Sequence, residues 1–281
     1  MKKVAVCIHG QLRYWDTMSK IFNLWNSVYE DITFEFYLAT WNDSKIENIQ
    51  KNLKLNSYKE FTHDNMYKKM SPPLKYYFQN IKVARSTPSY QHYYSFLLSE
   101  SVNLLKISQN TNYKAVILIR PDIFIYPDFF KFMHNKLNFN VEKETHNKIE
   151  FGDNIIYSQT GSNYIQNRLF CNKDTLFVGS VKGAYKFGQI YKDIFEKNVF
   201  PPINLHSLQA EYLNWQRIYN KQQSELTNEL VRDKNNIKPG RPTVEGLLEC
   251  LQTYPESLFD LKNTHNIKDI LLKHSINEKT P

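Results

Sequence analysis

The stretch KAVILI, residues 114–119, gives the strongest strand prediction in the chain. Every residue after Lys114 is apolar, so a strand formed here has two apolar faces. Such a strand is typical of a parallel sheet that is covered by helices on both sides. The run ends abruptly at Arg120-Pro121-Asp122. We therefore expect a buried central strand with polar groups directly after its carboxyl end.

Strands and helices alternate on the amino-terminal side of this run. KVAVCI and FEFYLAT are short apolar runs that predict two further strands, at residues 3–8 and 34–40. Their alternation with helices predicts an α/β fold with a mostly parallel central sheet flanked by helices. The other expected elements are a helix capped by Asp16, a helix near residues 45–54, a loop that holds Pro72-Pro73, and a helix that opens at Thr87-Pro88.

The pattern is looser on the carboxyl-terminal side. We expect strands near Ile155–Tyr157 and over residues 174–180, a helix with Ala184 to Ile194 on one face, a helix over about 207–223, a last strand at 229–232 and a short helical tail. This organisation predicts a main domain over residues 1–235 and a helical extension over residues 236–281.

Composition is that of a globular protein and excludes several classes. Of the 281 residues 41% are apolar and 23% are charged, unlike a disordered chain. Cys7, Cys171 and Cys250 are too far apart to predict a zinc knuckle or a disulfide framework, which favours a reducing compartment. The apolar run at residues 4–8 is too short for a signal peptide, and no stretch reaches the roughly 18 apolar residues of a membrane span. We expect a soluble cytoplasmic protein without an integral membrane segment.

The formal charge of +8 comes from scattered lysines. No block of five basic residues occurs, and acidic residues lie among the basic ones. This favours a solvated basic surface and no nucleic-acid partner. Nucleic-acid binding is kept as an alternative that rests on charge alone.

Polar side chains follow each of the predicted strands at residues 3–8, 34–40 and 114–119. In parallel sheets the carboxyl ends of the strands form one rim, where ligands bind. Guanidinium groups bind phosphate, and carboxylates hold metal ions or ribose hydroxyls, so these residues predict a nucleotide site. The candidates at the rim are His9, Gly10, Gln11 and Arg13, then Thr40, Trp41, Asn42 and Asp43, and finally Arg120 and Asp122.

Several of these residues have a structural alternative. Gly10 fits a tight turn, Arg13 a surface position and Trp41 a core position, and Arg120 with Asp122 fits a local ion pair. The chain has no GxGxxG, GxxxxGK[ST], GxSxG or HExxH motif. It therefore lacks the usual sequence signatures of a Rossmann dinucleotide site, a P-loop, a serine hydrolase and a zinc protease.

Seven short strings resemble, in order, a group of bacterial and viral glycosyltransferase-like proteins of the GT-A, nucleotide-diphospho-sugar transferase type. The resemblance covers about residues 1–235. The strings are KVAVCIHGQLR at the first strand, FYLATWND at the second, YQHYYSFLLS at 90–99, VILIRPDIFI at 116–125, KDTLFVGSVKGAYKF at 173–187, AEYL at 210–213 and LVR at 230–232.

The resemblance implies a GT-A-like, Rossmann-related fold and sugar transfer from a nucleotide-sugar donor to a glycan or other hydroxyl acceptor. In that family a DxD-type motif holds a divalent ion on the diphosphate, and Arg120-Pro121-Asp122 stands in its place here. The motif implies Asp122 as a ligand of Mn²⁺ or Mg²⁺. Because Arg120 replaces the first carboxylate, neutralisation of the diphosphate by Arg120 itself stays an open alternative.

The remaining roles follow from this resemblance. Arg13 and Arg120 bind phosphate, Trp41 and Asp43 hold the nucleoside, and Gly10, Gln11, Thr40 and Ser95 complete the nucleotide-sugar site. Asp174 and Glu211 are the candidates for the base that an inverting enzyme needs. The alternative function is an inactive nucleotide- or sugar-binding module of the same fold. In a viral source the cytoplasm would be that of the host.

Overall fold

The computed structural model describes most of the amino-terminal half of the chain and parts of the carboxyl-terminal half. The described residues are 1–28, 30–42, 46, 48–80, 91–108, 112–138, 155–160, 172–198, 212–213, 215–216, 219–223, 228–231, 242–253, 255, 258–259, 267 and 269–271.

The described ranges contain both strands and helices, in a mixed order along the chain. The strands are β1 (Lys2–His9), β2 (Ile32–Trp41), β3 (Ser57–Phe61), β4 (Tyr113–Ile119), β5 (Ile123–Ile125), β6 (Ile155–Thr160), β7 (Asn172–Gly179), β8 (Tyr219–Gln223) and β9 (Asn228–Leu230). The helices are α1 (Trp15–Asn23), α2 (His63–Lys69), α3 (Pro72–Asn80), α4 (Gln91–Ile107), α5 (Pro127–Asn138), α6 (Val181–Phe187) and α7 (Val244–Thr253), with a π-helical turn at Lys192–Glu196.

Seven strands form the central sheet in the order β3-β2-β1-β4-β7-β6-β8. Six of them run in one direction and β7 runs in the other, because β7 is antiparallel to both β4 and β6 and every other pairing is parallel. The predicted α/β fold with a mostly parallel sheet is therefore confirmed. In the register, Ile8 lies level with Leu38 of β2 and with Ile119 of β4. The carboxyl ends of these three strands consequently meet at one rim.

Both faces of the sheet are buried, as the apolar run at 114–119 predicts. Along β1, Val4, Val6 and Ile8 face a core that contains α1 and α5, whereas Ala5 and Cys7 face a second core that contains α4 and α6. Each fully buried Val or Ile contributes about 1.5–3 kcal/mol through the hydrophobic effect. The two-sided burial fixes β1 at the centre of the molecule.

Four local predictions are wrong. Residues 49–53 form a turn and bends instead of part of a helix, and α3 begins at Pro72, where proline suits a first helical turn. The segment Tyr219–Gln223 pairs with β6 as a strand, although a helix was expected there. Asp16 lies in the first turn of α1, whose N-cap is Tyr14 in a left-handed conformation.

The carboxyl-terminal part returns to the main core. Leu247 and Cys250 of α7 are buried in the same cluster as α1 and β1. A Cβ atom added to Gly246 would lie 3.1 Å from the Cα atom of Leu271, so these two segments touch through their backbones. The division at residue 235 stays a prediction. Among the described helices, none is long and apolar enough to cross a bilayer.

The close contact between the end of α6 and α4 leaves no room for a side chain at Gly188. A Cβ atom at Gly188, the residue after α6, would lie 2.6 Å from Cγ1 of Val102 in α4. Overpacking of this kind costs about 1–3 kcal/mol. We expect Gly188→Ala to lower the free energy of unfolding by that amount in urea denaturation. Lys106→Ala, at an exposed position on α4, is the control and should change it by less than about 0.5 kcal/mol. Equal stability of the two variants would contradict the tight contact.

Candidate functional site

The turn after β1 is hydrogen-bonded to the end of β2 and packs against the turn after β4. Gly10 has a φ angle of 138°, and its N–H donates to the carbonyl of Ala39 at 3.2 Å. Its carbonyl accepts a hydrogen bond from Oγ1 of Thr40 at 2.8 Å. A Cβ atom at Gly10 would lie 3.1 Å from Cδ of Pro121. A glycine is required here by both the backbone angle and the close approach, so Gly10 and Thr40 position the rim.

Arg120 and Asp122 form a bidentate ion pair across Pro121. Nε of Arg120 donates to Oδ1 of Asp122 at 3.0 Å, and Nη2 donates to Oδ2 at 2.8 Å. The Asp122 side chain is 2% exposed, whereas that of Arg120 is 22% exposed. The backbone on either side is also held, since Arg120 N–H donates to Thr175 and the Asp122 carbonyl accepts from Val231 N–H. The carboxylate is thus enclosed and its partner reaches the surface.

Arg13 joins this pair from the loop after β1. Its Nη1 atom lies 4.0 Å from Oδ2 of Asp122, and its side chain is 49% exposed. The Nε–H group donates to Oε1 of Gln11 at 3.3 Å. Among the described side chains that meet here, two guanidinium groups lie beside one carboxylate. The structure therefore brings together Arg13, Arg120 and Asp122, the groups expected to handle phosphate.

His9 is a buried neutral imidazole beside the ion pair. It is 1% exposed, and its ring packs edge-on against Tyr94 at 5.0 Å between centroids. Nδ1 lies 3.4 Å from the carbonyl of Cys7, and Nε2 finds no hydrogen-bond partner in the part of the chain that the structure describes. Burial lowers the pKa of His9 to about 3, and the charge of Arg120 acts in the same direction. His9 adds no charge to the rim near neutral pH. Its place directly after the predicted strand at residues 3–8 was the only sequence signal for it.

A cavity of about 300 Å³ opens beside the ends of β2 and β3. Trp41 forms one wall, with its ring stacked on Phe96 at 5.7 Å and edge-on to His63 at 4.7 Å. The side chain of Thr62 caps α2 by accepting from the N–H of Asn65, which fixes another wall. The lining residues are Trp41, Asn42, Phe61, Thr62, His63 and Asp64. The sequence did not point to the four lining residues from Phe61 to Asp64, because β3 was not predicted.

The remaining candidates are Ser95 and the carboxylates Asp43, Asp174 and Glu211. Ser95 lies in α4 and is fully buried, with no hydrogen-bond partner for its Oγ atom among the described residues. Asp174 belongs to β7, next to Thr175. Asp43 and Glu211 lie outside the described residues. Their assignments stay predictions.

The described side chains do not fit a metal-binding role for Asp122. Both of its oxygens accept hydrogen bonds from Arg120. Within the described ranges, no group of three His, Cys, Asp or Glu side chains is placed to hold a metal ion. A divalent ion here would compete with a guanidinium for the one carboxylate.

No protein-family model and no curated protein matches the chain. Among solved structures, it is similar to an active-site mutant of LgtC, with 8% identity and a TM-score of 0.42 over 80% of this chain and 73% of that one. It is also similar to the galactosyltransferase LgtC in complex with donor and acceptor sugar analogs, with 8% identity and a TM-score of 0.40 over 96% of each chain. At these TM-scores the similarity alone assigns neither a fold family nor an activity.

The Gly10 turn generates a prediction about both stability and binding. An alanine there must adopt an unfavourable φ angle and approach Pro121, which costs about 1–3 kcal/mol. We expect Gly10→Ala to lower the free energy of unfolding by this amount in urea. We also expect the variant to bind more weakly any nucleotide that the parent protein binds, because the turn carries Arg13. A variant as stable as the parent would show that the close approach is not needed.

Burial of His9 generates a pH prediction. The pKa of His9 is about 3 in the folded state and about 6.5 when unfolded. Below pH 6.5 the unfolded chain binds the additional proton, so stability falls as the pH falls, by about 1.4 kcal/mol per pH unit until about pH 3. His92, whose pKa burial also lowers to about 3, contributes in the same direction.

The test compares unfolding free energies of the parent and His9→Gln between pH 7 and pH 5. Glutamine does not titrate, so the variant should lose the His9 contribution to the pH dependence, which is about half a proton at pH 6.5 and approaches one proton near pH 5. His92 keeps its own contribution in both proteins. Parallel pH profiles for the two proteins would contradict the buried neutral state of His9.

Proposed function

We propose that this chain is a glycosyltransferase that moves a sugar from a nucleotide-sugar donor to a hydroxyl group of a glycan or other acceptor. The observation that supports it is the meeting of Arg13, Arg120 and Asp122 at the carboxyl ends of β1 and β4. Open α/β sheets bind ligands at this rim, and guanidinium groups bind phosphate oxygens in a bidentate manner. The resemblance of residues 1–235 to GT-A proteins agrees with this placement.

In the proposed reaction, the acceptor oxygen attacks the anomeric carbon of the donor. A bond forms between them while the bond from that carbon to the diphosphate oxygen breaks, and the nucleoside diphosphate leaves. Arg13 and Arg120 stabilise the negative charge that develops on the leaving group. In an inverting enzyme the acceptor proton passes to a carboxylate, for which Asp174 and Glu211 are the candidates. A retaining enzyme does not need this base in the same way.

The cavity beside β2 and β3 is proposed to hold the nucleoside, with Trp41 as a wall and Asp43 nearby in the sequence. Because neighbouring strands are about 4.8 Å apart, the tips of β2 and β4 are separated by roughly 10 Å across β1. One extended ligand can therefore place its diphosphate at the arginines and its nucleoside at the cavity. Phe96 already stacks on Trp41, so we assign Trp41 to shaping the cavity.

The compartment proposed for this activity is the cytoplasm. Cys7 and Cys250 are buried free thiols, which fits a reducing environment.

An inactive nucleotide- or sugar-binding module is the second candidate. The observation that favours it is the engagement of Asp122 by Arg120, which leaves the motif without an available carboxylate. Retained nucleotide affinity without any sugar release would select this candidate.

The transferase proposal is tested with a panel of UDP-, GDP- and CMP-sugars, by thermal shift and by nucleotide release. A ligand that binds the folded state raises the unfolding midpoint. We expect one donor class to do so and to release nucleotide, and Arg13→Gln to weaken its binding by roughly 10-fold or more, as the loss of a charge-assisted hydrogen bond implies. Lys2→Gln is the matched control, because it removes one positive charge at the opposite end of β1. No stabilisation by any donor would contradict the proposal.

A further inference from the structure

We propose that the rim binds the donor diphosphate through guanidinium groups in place of a divalent metal ion, with Asp122 acting as a positioning residue for Arg120. The inference rests on the proposed function and concerns how that site works. It assigns the Arg120-Pro121-Asp122 motif a role without a metal ion, although the resemblance implies that this motif contains a metal ligand.

The first argument is the state of the carboxylate. Asp122 accepts at 3.0 Å on Oδ1 and at 2.8 Å on Oδ2 from a single planar guanidinium group. Its side chain is nearly enclosed, and Arg13 covers the same Oδ2 atom from the other loop. A metal ion would have to displace Arg120 from both oxygens of the enclosed carboxylate and break the two hydrogen bonds that hold it, which is unfavourable.

The second argument is the sign of the charge. Among the described side chains at the ion pair, Arg13 and Arg120 outnumber Asp122, and the neutral His9 does not change this balance. A net positive rim attracts a diphosphate and repels a free divalent cation. The exposure of the three side chains also favours binding of an anion, because both guanidinium groups reach the surface and the carboxylate does not.

The third argument is preorganisation. The backbone of Arg120 is tied to Thr175 of β7, and that of Asp122 is tied to Val231, which follows β9. Pro121 between them packs against the Gly10 turn that carries Arg13. The guanidinium of Arg120 and the turn that carries Arg13 are thus held in place before a ligand arrives, and such preorganisation favours charge stabilisation. The bonds made and broken are those of the proposed transfer, and no additional reactant is needed.

The test measures binding of UDP and GDP to the intact chain by isothermal titration calorimetry, once with EDTA and once with excess Mn²⁺. We expect at least one of them to bind with the same dissociation constant in both buffers, within about twofold. Binding that needs Mn²⁺, or that Mn²⁺ strengthens by about tenfold or more, overturns the metal-free site and leaves the transferase proposal standing. No binding in either buffer overturns both.

Variants separate positioning from metal coordination. We expect Arg13→Gln, at an exposed position, to weaken diphosphate binding by the same factor in EDTA and in Mn²⁺. Asp122→Asn should behave likewise, because it loosens Arg120 under both conditions. An effect of Asp122→Asn that appears only with Mn²⁺ would identify Asp122 as a metal ligand and overturn the proposal.

Two controls keep the variant test decisive. Asp31→Asn removes one carboxylate that pairs with Lys2 at the far end of the sheet, and it should leave both dissociation constants unchanged. Circular dichroism identifies variants that do not fold. If Asp122→Asn is unfolded, Arg13→Gln and the parent protein still decide between the two outcomes.

Discussion

The rim depends on the close approach of Gly10 to Pro121. Three chain segments meet there, since Gly10 also bonds to the end of β2 through Ala39 and Thr40. A side chain at residue 10 would press against Pro121 in the turn after β4, since its Cβ atom would lie 3.1 Å from Cδ of Pro121. The distance between Arg13 and Asp122 is set by this contact, because the two residues lie on those two turns. A backbone constraint of one glycine thereby determines the charge geometry of the site.

The Arg120–Asp122 pair is the second constraint. A carboxylate loses most of its hydration when it is buried, and only good hydrogen-bond geometry compensates for that loss. The bidentate contact supplies this geometry, so the planar guanidinium is specifically required and a lysine would not replace it. Removal of Arg120 would leave the buried charge of Asp122 without this partner, which destabilises a protein strongly. Structure and function are consequently coupled at this position: the interaction that keeps the turn folded also directs Arg120.

The apolar runs were sufficient to predict β1, β2 and β4, because burial on both faces leaves a continuous pattern in the sequence. The same rule of strand ends predicted that Arg13, Arg120 and Asp122 share one rim. The edge strand β3 has three exposed residues in five and gives no such pattern, so the cavity beside it was missed. The strand at Tyr219–Gln223 is polar as well, and its pairing with β6 overrides the local helical preference. Which oxygen each guanidinium contacts depends on side-chain rotamers, and no spacing rule in the sequence contains that information.

Arg120 stands where the resemblance to GT-A proteins implies a carboxylate, and an arginine there changes how a diphosphate site can be built. A metal site assembles its charge from ligands and a diffusing ion, whereas an arginine carries its charge with the chain at every physiological pH. Its direction is fixed by Asp122, and its distance from Arg13 is fixed by Gly10, so the positive field exists before the donor binds. Charge that is already oriented costs no reorganisation when the leaving group becomes negative. In such a site the single carboxylate, Asp122, is buried and positions the guanidinium group of Arg120. A second carboxylate at residue 120 would replace the positive charge that the proposed reaction requires by a negative one.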